Sequence, residues 1–176
     1  IATGSRPVVL PEWQALGERL IINDDVFSWE TLPKSVAVFG SGVIGLELGQ
    51  ALARLGVKVH VFGRGNTIGG ISDPTVSAKA LEIFQQELDM HLDANTRVSL
   101  NAAGNVEVAY KQNGEQGVFE AEYLLAAIGR KPNIDNIGLE NLPELKLNKR
   151  GVPVADRHTM QTSIPHLFIA GDASNQ

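Results

Sequence analysis

The sequence predicts an α/β fold, a three-layer ββα sandwich with a central parallel sheet and an inserted three-stranded antiparallel meander. Three observations point to it. Apolar, β-branched runs at residues 35–39 and 57–62 flank a segment with helical periodicity, and this spacing implies a right-handed parallel crossover. Between residues 97 and 121 the pattern changes to period two, with turn signals between the runs. A continuous apolar run at 123–128 then returns, as a strand buried on both faces of a parallel sheet requires.

In chain order, residues 1–34 carry Pro7, Pro11, Gly17 and Pro33 and read as a connector with little regular structure. Within it, residues 20–22 suit a short strand, and Asn23, Asp24 or Asp25 suits the cap of a short helix ending at Trp29. The first strand, 35–39, leads into a helix over 43–55. There Ile44, Leu48, Ala51, Leu52 and Leu55 share one face, and Gly56 is a natural C-terminal cap. The strand 57–62 follows. Asp73-Pro74 marks a second helix start, a capping carboxylate followed by proline at the first helical position. Val76, Ala80, Ile83, Phe84 and Leu88 give that helix its expected buried face over about four turns. The meander strands fall at 97–102, 106–111 and 117–121, joined at Ala103-Gly104 and Asn113-Gly114; the Asn-Gly pair is a strong hairpin signal. After 134 the chain is rich in loops until an apolar strand at 167–170.

Length is sufficient for one sizeable core in 176 residues. The net charge of −5, with no basic cluster, counts against a nucleic-acid partner. No apolar run approaches the roughly 20 residues of a membrane span, and no signal peptide is visible, so a cytoplasmic location is expected. The chain begins at Ile1 without a Met and ends just after an apolar run, so a piece of a longer protein is expected. It has no cysteine, which excludes a thiol nucleophile, a disulfide or a cysteine-ligated metal within these residues. The four histidines, His60, His91, His158 and His166, are scattered without metal-ligand spacing and read as surface or strand-edge residues.

The most informative stretch is Gly40-Ser41-Gly42-Val43-Ile44-Gly45, which follows the first strand and opens the first helix. In that context G-x-G-x-x-G has a mechanical reading, that of a Rossmann-like phosphate-binding turn. Gly40 allows the tight turn, Gly42 leaves the backbone open to a pyrophosphate, and Gly45 allows close packing of helix on strand. The helix N-terminus, with the amides of Val43 and Ile44, then presents donors and a positive dipole end to phosphates.

Four motifs occur in fixed order along nearly the whole chain: Ala2-Thr3-Gly4-Ser5-Arg6-Pro7; Gly40 to Glu47; Gly129-Arg130-Lys131-Pro132-Asn133; and Thr162 through Asp172. In this the chain resembles the central part of the flavin-dependent pyridine nucleotide–disulfide oxidoreductases, the family of dihydrolipoamide dehydrogenase, glutathione reductase and mercuric reductase. Gly45-Leu46-Glu47-Leu48-Gly49 is closest to the dihydrolipoamide dehydrogenase branch. The resemblance implies a connector from an FAD domain at 1–34, an NAD(P)-binding domain at 35–133 and a return segment to the FAD domain at 134–176. It also implies that a first FAD glycine loop, a redox cysteine pair and a dimerisation domain lie elsewhere in a homodimeric whole protein.

The same resemblance supplies roles. Gly40, Gly42, Val43, Ile44 and Gly45 would hold the dinucleotide. Glu47, placed in the first helical turn, would support the nicotinamide region, although its family lysine partner is not in this chain. Val43 stands where glutathione reductases carry a tyrosine gate. Val98 would meet the adenine, Gly129 would close the site near the nicotinamide, and Arg130 would touch the cofactor or fix a domain interface. Thr3, Gly4, Ser5 and Asp172 would flank FAD in the full-length protein. Coenzyme choice turns on Gly63-Arg64: the acidic residue that accepts the ribose hydroxyls of NAD is replaced by Gly63, and Arg64 matches a 2′-phosphate arginine, while its usual second arginine is Gly70. NADP is therefore favoured modestly over NAD. The expected function is to position NAD(P)H for hydride exchange with FAD. The alternatives are the same module in a flavin oxidase, peroxidase or ferredoxin reductase without redox cysteines, or a non-catalytic NADP(H) sensor.

Overall fold

The computed structural model of the chain describes residues 1–174; the last two residues of the expected return segment lie outside the described residues. In chain order the strands are β1 (Ser5–Pro7), β2 (Leu20–Ile21), β3 (Ser35–Phe39), β4 (Lys58–Gly63), β5 (Asp89–Leu92), β6 (Asn95–Leu100), β7 (Val106–Gln112), β8 (Glu115–Ala121), β9 (Tyr123–Ala126) and β10 (Arg130–Pro132). Two α-helices, α1 (Val43–Arg54) and α2 (Pro74–Phe84), follow β3 and β4. The chain divides into two compact units: Pro7–Gly129, and Ile1–Arg6 with the segment from Arg130 onward.

In the larger unit a five-stranded parallel sheet has the order β2-β9-β3-β4-β5, and β6, β7 and β8 form a separate antiparallel sheet. Strand alternation sends successive side chains of β3 to opposite faces. Val36 and Val38 pack with Val59, Val61, Leu125 and Leu52 of α1. Ala37 and Phe39 pack with Phe62, Leu124 and Ala126 and with Val106, Val108, Phe119 and Ala121 of the meander. The result is the expected mixed α/β architecture, with the parallel sheet as the middle layer.

Several elements differ in detail from the sequence reading. Residues 11–19 are not irregular: they form consecutive 3-10 turns opened by Pro11 and kinked at Gly17 (φ 55°), and they bury Trp13 and Leu16. β2 forms as expected and pairs with β9, and Asp25 accepts a hydrogen bond from the Ile22 amide just before a 3-10 turn at Asp25–Ser28. Gly56 caps α1 in the left-handed region (φ 92°). The buried face of α1, however, is Gly45, Leu46, Gly49 and Leu52, while Leu55 is exposed. The buried face of α2 is Ser77 with the half-buried Ala80, Leu81 and Phe84, and Val76 and Ile83 are exposed. α1 seats its small residues on the sheet: a Cβ on Gly49 would meet Val38, Val59 and Val61, so the helix lies close to the strands.

α2 ends at Phe84, after about three turns rather than the expected four. The chain then makes the edge strand β5, unforeseen in the sequence, which pairs in parallel with β4. β6 begins two residues earlier than expected, and the expected strand at 167–170 does not form. Pro165 and the turn closed by Leu167 N–H on the Ile164 carbonyl (3.0 Å) leave only one bridge there, Gln161 to Phe168. That bridge belongs to the smaller unit, whose core is Ile134, Val152, Ile169 and Ala173 and whose short strands β1 and β10 pair with each other.

His91 lies on the edge strand β5 as expected, whereas His60 lies on the inner strand β4, and both are half-buried. His60 stacks on Phe119 at 3.7 Å between ring centroids, and its Nδ1 lies 2.9 Å from His91 Nε2. The Asp89 carboxylate lies 3.2 Å from His60 Nε2 without making a hydrogen bond to it. Burial pushes His60 down to about 4, outweighing the attraction of Asp89; the charges of His91 and Lys58 act in the same direction as burial. His91 is lowered too, again chiefly by burial. Sheet register brings this pair together: β4 and β5 align His60 with Asp89 and Phe62 with His91.

Two expectations follow from the packing. Asp73 accepts hydrogen bonds from the amides of Thr75 (2.9 Å) and Val76 (3.0 Å). Asp73→Ala is expected to cost about 1 kcal/mol in urea unfolding, and an unchanged midpoint would remove this cap from the account. A histidine depressed on folding contributes stability above its unfolded value near 6.5, and loses it as pH falls toward about 4. Wild-type protein should therefore lose stability across that window, and His60→Phe should remove most of the loss. Equal slopes for the two proteins would contradict the assignment.

Candidate functional site

The glycine loop lies at the carboxyl ends of β3, β4 and β9. Gly40 N–H donates to the Phe62 carbonyl at 2.8 Å, and Ala127 N–H donates to the Phe39 carbonyl at 2.7 Å. The loop is thereby stitched to both neighbouring strands. Gly40 has φ +123°, and a Cβ there would overlap the Ala127 carbonyl. A Cβ on Gly45 would collide with the Gly40 carbonyl oxygen. Gly42 differs: a Cβ on it would meet nothing within 4 Å. Packing therefore demands glycine at 40 and 45, whereas at 42 the missing side chain keeps open space open. Gly42 is the N-cap of α1 and no side chain caps the helix, so its first amides remain available to a ligand.

Two adjoining cavities form one crevice. The first, about 580 Å³, is lined by Gly40 through Ile44 with Ala127, Ile128 and Gly129. The second, about 360 Å³, is lined by Trp13, Phe39, Phe62, Gly63, Arg97 and Val98, among others. Leu10, Phe62, Arg64 and Ile128 line both. Aromatic rings back the second cavity: Trp13 meets Phe39 edge-on at 4.9 Å, and Phe39 stacks on Phe62 at 5.0 Å. A phosphate-sized mouth with backbone donors thus adjoins an apolar slot suited to a planar base.

Arg64 is exposed, and the turn that bears it is held by Asp93: Asp93 N–H donates to the Gly63 carbonyl (2.9 Å) and its carboxylate accepts from Gly65 N–H (3.3 Å). Among the described residues neither Arg64 nor Arg97 has an ion-pair partner. Val43 is 55% exposed at the mouth. Glu47 is the fifth residue of α1, beyond its first turn, and is exposed, so the dipole advantage expected for it is small.

The remaining expected site residues meet in the smaller unit. Ser5 donates to Asp172 at 2.9 Å, and Arg130 donates to Ser5 through Nε (2.7 Å) and through NH2 to its carbonyl (2.8 Å). Asn133 donates to the Thr3 carbonyl at 3.1 Å and, through its backbone, to that of Gly4 at 2.9 Å. Ser5, Arg130, Arg157 and Asp172 also line one cavity. Residues of the crevice that escaped the sequence reading include Glu12, Trp13, Arg97 and Ser41. Arg97 hid in the period-two pattern of β6, and Ser41 stood as a variable position of the glycine motif; its Oγ donates to the Thr67 carbonyl at 3.1 Å. Among the described residues no group of three or more His, Cys, Asp or Glu is placed to hold a metal, and no helix is long and apolar enough to cross a membrane.

An open sheet with an uncapped helix facing a crevice at its strand ends defines a dinucleotide-fold protein. Residues 1–176 match the family described as pyridine nucleotide-disulphide oxidoreductase, and the chain belongs to that family. It is 33% identical over 173 residues to dihydrolipoyl dehydrogenase of Geobacillus stearothermophilus, covering 98% of this chain and 36% of that protein. It is 35% identical over 179 residues to the mitochondrial dihydrolipoyl dehydrogenase of Dictyostelium discoideum, with the same coverage. Among solved structures, LpdA of Mycobacterium tuberculosis superposes with a TM-score of 0.82 at 28% identity, over 99% of this chain and 37% of that one. A flavoprotein disulfide reductase of Escherichia coli, RclA, shares the fold, with a TM-score of 0.83 over 100% of this chain and 39% of that one at 24% identity. The chain thus spans about a third of the length of the curated relatives it matches.

The crevice geometry bears differently on the two glycines Gly42 and Gly45. Gly45→Ala should lower stability by about 1–3 kcal/mol through overpacking, whereas Gly42→Ala should cost under about 1 kcal/mol, the loss of a modest N-cap. Urea denaturation of both variants decides; equal losses would mean that Gly42 is also a packing glycine.

Proposed function

We propose that Pro7–Gly129 is the nicotinamide-dinucleotide-binding domain of a dihydrolipoyl dehydrogenase-like flavoprotein disulfide oxidoreductase. The observation that carries this reading is the open space at Gly42 beside an uncapped helix N-terminus, with packing glycines on either side. A diphosphate fits that mouth because it needs backbone donors and no intervening side chain. In this reading the amides of Val43, Ile44 and Gly45 hold the diphosphate, the slot between Phe62, Trp13 and Val98 takes the adenine, and Ile128 and Gly129 border the nicotinamide end. Bound there, the nicotinamide supplies hydride-transfer chemistry, and the protein supplies position and electrostatics. Thr3, Gly4, Ser5 and Asp172 belong to an FAD site completed by parts of the protein outside this chain. Family membership and the dihydrolipoyl dehydrogenase relatives support the assignment.

The coenzyme is NADP(H) in preference to NAD(H). Arg64 and Arg97 give the adenosine end two cations and Gly63 gives it no carboxylate, which suits a 2′-phosphate. One observation favours the rival choice: Glu12 lines the same cavity and offers a carboxylate to ribose hydroxyls. Titration with both reduced coenzymes decides. One charge-assisted hydrogen bond of roughly 1.5–3 kcal/mol corresponds to about 10-fold or more in affinity, so NADPH should bind tighter by that factor and Arg64→Ala should erase most of it. Equal or tighter NADH binding would transfer the assignment to NAD, and binding of neither would remove it.

A further inference from the structure

Gly63 ends β4 at the position where an acidic residue would select NAD, and its own backbone does not require glycine, since its φ lies outside the left-handed region. Its neighbours require it. A Cβ on Gly63 would stand 2.6 Å from Ser41 Oγ, 2.9 Å from Ser41 Cβ and 2.7 Å from Leu92 Cδ2. Atoms that close must move. The Leu92 methyl is the far end of a flexible side chain and can rotate away. Ser41 Oγ can rotate only by giving up its bond to the Thr67 carbonyl. Ser41 Cβ cannot move without its backbone, which is held because the Ser41 carbonyl accepts from Gly69 N–H at 2.8 Å and the preceding Gly40 is bonded to β4.

We infer that Ser41 is a specificity-determining residue: its buried side chain fills the volume that a side chain at position 63 would need, and so bars from the crevice the carboxylate that reads the ribose of NAD. Ser41 also ties the phosphate turn to the loop that starts at Arg64, through Thr67 and Gly69 on that loop. One residue therefore links the diphosphate end of the crevice to the end that distinguishes the two coenzymes. This inference rests on the proposed identity of the crevice as a nicotinamide-dinucleotide site.

The test is a double-mutant cycle in the full-length protein that carries this chain, with NADH and NADPH titrations and thermal melting on every variant. Gly63→Glu alone should lower the melting temperature and leave NADH affinity within about twofold of wild type, because the carboxylate has no room to seat. Ser41→Gly/Gly63→Glu should raise NADH affinity by about 10-fold or more, the gain expected of a charged acceptor on ribose hydroxyls. Gly63→Ala should melt several degrees lower with Ser41 present and much less so in the Ser41→Gly background, which keeps the packing claim testable even where the glutamate variants fail to fold. Additive effects, or a full gain of NADH binding from Gly63→Glu alone, would overturn the role of Ser41 while leaving the site intact. A wild-type protein that binds neither coenzyme would overturn the site reading and this inference with it.

Discussion

The structure of the larger unit depends on one close approach of backbone to backbone. The turn that leaves β3 at Gly40 lies against the carbonyl of Ala127, where β9 ends, and the first turn of α1 lies against the carbonyl of Gly40. No residue with a Cβ fits at Gly40 or Gly45 without displacing backbone. These two contacts set where α1 begins, and hence where its unpaired amides point. Everything proposed for the crevice follows from that placement: a helix shifted outward by one side chain would present its dipole end to solvent rather than to a ligand-sized cavity.

The meander gives this arrangement its far wall. Its period-two face covers the second side of the parallel sheet with Val106, Val108, Phe119 and Ala121, and β6 delivers Arg97 and Val98 to the second cavity of the crevice. The half-buried pair His60 and His91 sits under the same layer. Burial lowers the pKa of both imidazoles, and their contact uses two polar nitrogens that a purely apolar wall would not contain. Polar atoms in a core are tolerated when they satisfy each other, as these largely do.

Much of the fold was legible in the sequence. Strands β3, β4, β7 and β9, both helix starts and the Asn113-Gly114 turn follow from local chemistry: β-branched runs, a capping carboxylate before proline, and a dipeptide that accepts positive φ. The phase of both helices was not legible in the same way. Hydrophobic periodicity weights large apolar residues, so it pointed to Leu55, Val76 and Ile83. Instead α1 buries Gly45 and Gly49 and α2 buries Ser77, small residues that carry little hydrophobic signal. β5 was hidden for a related reason, since Asp89 and His91 break the apolar pattern of a strand whose polar side chains find partners only in the assembled sheet. At the site, the three glycines and the separate job of each were legible in the sequence; the crowding around Gly63 was not. That Gly63 is crowded by Ser41 is a property of neighbours far along the chain.

The central claim is that the amides opening α1 grip a diphosphate. Amide hydrogen exchange with and without saturating NADPH tests it most directly, because it reads the individual backbone donors. The account predicts new protection at residues 42–46, with accompanying protection at 63–65 and 96–98. Exchange unchanged at 42–46, whether or not protection appears elsewhere, would contradict it.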